Sequence, residues 1–195
     1  MPIRIWDETL RSRDWRGRFQ FKIRGDLMKE KNLSRPLSVW LFLATFCLIF
    51  YGMGASFVES FVNYPTWRLI GANEFRAYHN ALGPLVIGYM VIPMLVGTVL
   101  SIVMLWVRPV QIPLWAILAA VILQLIIWVS TATIQLPIQF RLGADGLSIP
   151  AIERLIFTNL WFRKVPQVIT SALFVWMMYT VLRERVGTPS SESLS

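Results

Sequence analysis

A chain of 195 residues has the length of one domain, and 55% of it is hydrophobic against 15% charged, well below the roughly 25% charge usual in soluble domains. The net charge of +8 would suit a nucleic-acid binder, but ten of the nineteen Lys and Arg residues crowd before Pro36 and long uncharged blocks follow, which excludes that class. One cysteine, Cys47, and one histidine, His79, leave no intramolecular disulfide, no cysteine cluster and no His-x-x-x-His spacing, so no metal site is expected.

Residues 1–36 form a basic arm punctuated by Trp6, Trp15, Phe19 and Phe21. The arm is too polar for a signal peptide, and no small-residue cleavage site follows an apolar segment. Trp15, Phe19 and Lys22 fall at helical spacing, which fits an interfacial helix on the inner leaflet. A partly disordered basic tail fits equally well, and docking onto a partner protein is a third reading, because the arm is longer than topology needs.

The first apolar block predicts a membrane span over residues 37–60, because roughly 20 apolar residues at 1.5 Å each cross a bilayer core of about 30 Å. Gly52 and Ser56 offer a small face for a neighbouring helix, as do Gly97 and Ser101 in the second span, residues 81–107. Between these spans Pro65 should end or kink the first helix, and Asn73 is a plausible N-cap for the second. Residues 108–113 make a tight turn into span three, residues 112–135. There Gln124, Trp128, Thr131 and Gln135 form one polar stripe, and Pro137 interrupts the helix. Residues 152–162 read as a short interfacial helix ahead of span four, residues 165–182, whose 18-residue uncharged block is the shortest. Residues 183–195 are a polar tail. The fold class expected is therefore all-α, a polytopic membrane protein with a four-helix antiparallel bundle.

With the N-terminus inside, thirteen basic residues lie on the cytoplasmic side and six outside, which orients the chain by the positive-inside rule. The expectation is a multi-pass protein of the bacterial cytoplasmic membrane, both termini cytoplasmic, with the arm against anionic lipid.

Polar groups at membrane depth are costly and are kept with partners or for a function. They gather on the outer side here. Span one ends where span two begins, so Glu59 and His79 are expected to meet as a carboxylate–imidazole pair, the imidazole being the ready proton acceptor at neutral pH. These two are the candidate catalytic residues. Asn63, Tyr64, Trp128, Thr131, Gln135, Gln139, Asn159, Trp161 and Arg163 are the candidate ligand-binding residues, with Trp67, Trp128 and Trp161 as aromatic walls and Tyr51 near the floor. Each has a plain structural alternative: a headgroup-level histidine, a Glu59 paired with Arg68 or Arg76, a stripe that only glues helices together.

Asn63-Tyr64-Pro65, the run from Phe75 to Tyr78-His79, Arg108-Pro109, Trp128-Val129-Ser130-Thr131, Gln135-Leu136-Pro137-Ile138-Gln139 and Thr158-Asn159 with Trp161 and Arg163 carry a resemblance. Over roughly residues 51–182 the chain resembles a family of uncharacterised bacterial four-helix membrane proteins, distantly similar in size and topology to anthrone-oxygenase-like membrane proteins. The family pattern has a second histidine where this chain has Gln139, and its Asn-Trp element is altered to Asn159-Leu160-Trp161. A site shared by two histidines would have lost half of itself here.

Two functions fit. One is binding of a lipophilic small molecule, quinone-like or polyketide-like, in a pocket at the outer face of the bundle, with oxidation or isomerisation as the chemistry. The other is a non-catalytic subunit of a larger membrane complex, contacting other membrane subunits through the arm and the lipid-facing helices. No cofactor is implied by any motif, and a transporter ranks third because four spans are few.

Overall fold

The computed structural model describes residues 36–186; the basic arm and residues 187–195, with the readings made of them, lie outside the described residues. The described chain is all-α. Four long helices, α1 (Pro36–Leu69), α2 (Ala72–Val103), α3 (Leu114–Asp145) and α4 (Ile149–Arg183), pack antiparallel, and each is long and apolar enough to cross a membrane. At 32 to 35 residues they reach about 50 Å, well beyond a hydrocarbon core of about 30 Å. Only 22–39% of each apolar stretch is buried, so the bundle's outside, carrying Leu85, Val99, Leu118 and Ile122, needs lipid to cover it.

The ends follow local chemistry. Proline lies in the first turn of α4 at Pro150, where no amide partner is needed. Gly146, at φ 91°, closes α3 in a conformation that side chains resist. The N-cap of α2 is Gly71 rather than Asn73: its carbonyl accepts the amides of Glu74 (3.1 Å) and Phe75 (2.9 Å). We call the end that holds the two short turns, at residues 70–71 and 146–148, distal. The end with the longer turn, residues 104–113, is proximal.

Each helix contains one wide π turn: Glu59–Asn63, Ile87–Val91, Thr131–Gln135 and Leu160–Lys164. A proline follows each turn two residues on: Pro65, Pro93, Pro137 and Pro166. Proline has no amide hydrogen and its ring crowds the carbonyl four residues back, and one wider turn relieves the clash without ending the helix. Two of the freed carbonyls are met from neighbouring helices, Tyr89 O by the Tyr51 hydroxyl (2.7 Å) and Phe162 O by Ser130 Oγ (3.3 Å). This corrects three expectations. Pro65 does not end α1, Pro137 does not interrupt α3, and residues 152–162 are the distal half of α4 rather than a separate interfacial helix.

Packing divides into layers. A proximal core joins Phe42, Met104, Ile117, Ala120, Phe174 and Met177, with Phe42 stacked on Phe174 at 6.0 Å. A distal core joins Tyr64, Trp67, Phe75, Ile138, Leu142, Ile152 and Leu155. Small residues bring α1 and α2 together: a Cβ on Gly97 would stand 3.2 Å from Leu48 Cβ. Between the two cores lies a polar layer that includes Ser56, Glu59, Gln135, Asn159, Arg163 and Lys164, all buried.

Candidate functional site

Above that polar layer a cavity of about 490 Å³ opens among all four helices. Helix α1 supplies Glu59, Tyr64 and Trp67, α2 the run from His79 to Val91, α3 the run from Thr131 to Ala144, and α4 Arg163. All four π turns reach it, through Glu59, Ile87 and Met90, Thr131 and Gln135, and Arg163. A π turn carries one extra residue and displaces the local backbone sideways, a device common at functional sites.

His79 is held on three sides. Trp67 meets it edge to face at 5.2 Å, Phe75 stacks on it at 5.7 Å, and its Nε2 lies 2.7 Å from Gln139 Oε1. A carbonyl oxygen only accepts, so Nε2 carries the hydrogen and Nδ1 of the neutral ring keeps its lone pair. The Gln139 amide reaches on to the Tyr64 hydroxyl at 3.4 Å. A chain Tyr64–Gln139–His79 therefore ties α1, α3 and α2 together.

The pairing of Glu59 with His79 is not made. Glu59 Oε2 accepts from Asn63 Nδ2 at 2.5 Å, one helical turn on, and Arg68 pairs with Glu153 at 3.8 Å. The geometry follows from helix α1 continuing past Glu59. Arg163 and Lys164 of α4 and His79 of α2 all lie within electrostatic reach of it. Glu59, Arg163 and Lys164 are nearly sealed, at 5%, 6% and 2% exposure. Lys164 Nζ donates to Ser56 O (2.7 Å), to Ser56 Oγ and to Gln167 Oε1 (3.4 Å), and lies 5.4 Å above the Phe57 ring. Asn159 Nδ2 donates to Ser60 Oγ.

Of the residues singled out in the sequence, Glu59, Tyr64, His79, Thr131, Gln135, Gln139 and Arg163 converge on the cavity. Asn63, Trp128, Asn159 and Trp161 are not among its walls. Asn63 supports Glu59 from behind, and Asn159 is buried against Ser60 in the polar layer. Trp161 is 55% exposed on the bundle's outside. The stripe on α3 splits in two. Gln124 donates to Ser101 Oγ (3.1 Å) and Trp128 to Thr98 Oγ1 (2.9 Å), binding α3 to α2, while Thr131 and Gln135 face the cavity. Tyr51 caps the Tyr89 carbonyl and forms no floor.

Lys164 and the wall residue Asn80 are polar residues that the sequence reading missed, and Ser56 was read only as a small residue. Lys164 stood just outside the last uncharged block and read as loop. The signal was present, since Asn159, Arg163, Gln167 and Thr170 repeat at helical spacing straight through the supposed boundary. Among the described residues no group of His, Cys, Asp and Glu is placed to hold a metal ion.

The site is thus an apolar chamber with a few converging polar groups. Buried atoms of four wall residues, Trp67 Nε1, His79 Nδ1, Gln135 Oε1 and Arg163 Nε, have no hydrogen-bond partner in the protein. Buried polar groups are almost always satisfied, and these four atoms, each with almost no accessible surface, are exceptions in the wall of the chamber. Comparison with family models, curated proteins and solved structures finds no match, so the resemblance described above rests on its sequence motifs alone.

Proposed function

We propose that this chain is a multi-pass protein of the bacterial cytoplasmic membrane, both termini inside, that binds a lipophilic small molecule of quinone or polyketide type in the distal cavity. The observation that carries the reading is the composition of the wall. A chamber of about 490 Å³ falls within the roughly 300–1,000 Å³ of small-molecule sites. Its apolar wall, Leu82, Val86, Ile87, Met90, Leu136 and Phe140, suits a ring system, and Gln135, Gln139, His79 and Arg163 suit carbonyl and hydroxyl groups on it. His79 and Glu59 line one chamber and bond to Gln139 and Asn63 rather than to each other, which leaves the second Glu59 oxygen to exchange a proton with a bound hydroxyl. Oxidation or isomerisation of such a molecule needs that step.

The test is mass spectrometry of protein purified in mild detergent. A stoichiometric lipophilic molecule that is lost from Arg163→Met and retained by the outward-facing Trp161→Ala is the expected result. Stoichiometric membrane polypeptides with no bound small molecule would replace this reading with that of an accessory subunit.

A further inference from the structure

The cavity is not enclosed by the bundle on every side. Helices α2 and α3 touch at two levels. Distally, His79 meets Gln139 and the Asn80 amide donates to the Gly143 carbonyl at 3.4 Å. Proximally, Trp128 meets Thr98 and Gln124 meets Ser101. Between these levels both backbones pass through their π turns, and the cavity lies between them.

Wall residues of both helices expose much of their surface here: Ile87 at 54%, Leu136 at 42% and, at the distal edge of the gap, Phe140 at 70%. A wall this exposed marks an opening between the two helices. Gly83 stands beside it, and a Cβ there would meet nothing within 4 Å. Residues 83–87 and 136–140 belong to the uncharged blocks, so the opening faces hydrocarbon rather than water.

The wall is also graded. Glu59, Gln135 and Arg163 lie deep, on or next to α1 and α4, while Leu82, Val86, Ile87, Leu136 and Phe140 lie toward the gap. A molecule seated there has its polar head inward and its apolar part at the window. We infer, resting on the binding function proposed above, that the ligand is a lipid-tailed molecule. Its head group occupies the cavity, and its tail leaves between α2 and α3 into the bilayer, from which it also enters.

The experiment uses the full chain in nanodiscs, with decylubiquinone and its tail-free parent quinone as probes and native mass spectrometry as the readout. The tailed probe should bind the native protein at least tenfold better than the parent. Gly83→Phe, which fills the window from α2, should abolish that advantage, as should Leu136→Trp from α3. Gly88→Phe, on the exposed face of α2 away from the cavity, should leave it intact. If the parent binds and the tailed probe is refused, the window is closed and this inference fails while the binding function stands. The same holds if Gly83→Phe and Leu136→Trp both fold and bind the tailed probe undiminished. Binding of neither probe by the native protein would overturn the inference and the quinone-type reading together.

Discussion

Glu59, Arg163 and Lys164 lie where a charge is hard to keep, and their substitutions should not be additive. Glu59 is a buried carboxylate within electrostatic reach of Arg163 and Lys164. Removing one partner of a buried charge cluster costs about 3–5 kcal/mol, whereas replacing the whole pair by apolar residues of similar volume is often neutral. Unfolding measured in detergent should show a loss of that size for Lys164→Met alone, which also strands the Ser56 carbonyl, and a smaller loss for Lys164→Met combined with Glu59→Leu. A double variant that loses the sum of the two single losses would show that Glu59 and Lys164 do not act as one cluster. The His79–Gln139 contact gives a second expectation. His79→Ala and Gln139→Ala should be non-additive by about 0.5–3 kcal/mol in a double-mutant cycle. The coupling of His79 to Glu59, with no hydrogen bond between them, should be smaller.

The four prolines act on their helices through phase. An α-helix turns about 100° per residue, so the residue accommodated by a π turn rotates everything beyond it relative to a regular helix. In α3 this sets Gln139 against His79 and Gly143 against Asn80, both distal to the π turn Thr131–Gln135. Alanine is about 3 kcal/mol better than proline inside a helix, so Pro137→Ala should not weaken α3 as a helix. It should instead let the turn tighten and carry Gln139 away from His79. The expected outcome is unchanged helix content by circular dichroism with loss of the His79–Gln139 coupling and of bound ligand. Retention of both would show that the wide turn is held by neighbouring helices and not by the proline. Gly143 offers a simpler lever. A Cβ there would stand 2.9 Å from Asn80 Oδ1 and 3.5 Å from His79 Nδ1, so Gly143→Leu should part the distal ends of α2 and α3 at a cost of about 1–3 kcal/mol.

For the bundle as a body, antiparallel packing of four helices puts both ends of the described chain on one side, and the proposal that this side is cytoplasmic rests on the distribution of basic residues. Alkaline-phosphatase fusions after Gly71 and Gly146 should be active, and fusions after Arg108 and Gly187 inactive. The reverse pattern would place the cavity toward the cytoplasm. It would also remove the reason to expect a ligand reaching the site from the outer leaflet.

Long uncharged stretches made the four spans legible, because the free energy of leaving lipid depends on how many apolar residues run together and not on what they touch. Seven of the eleven candidate site residues could be found the same way, since a polar side chain at membrane depth is conspicuous whatever its partner. The direction each one faces was not legible. Helical spacing assumes 3.6 residues per turn throughout, and every one of these helices breaks that assumption once, just before its proline. A phase error of one residue is enough to send Trp161 to the lipid, to give His79 to Gln139 instead of Glu59, and to hide Lys164 inside the bundle. Which polar groups share a cavity depends on the accumulated rotation of four helices against one another, and that quantity exists only once they have packed.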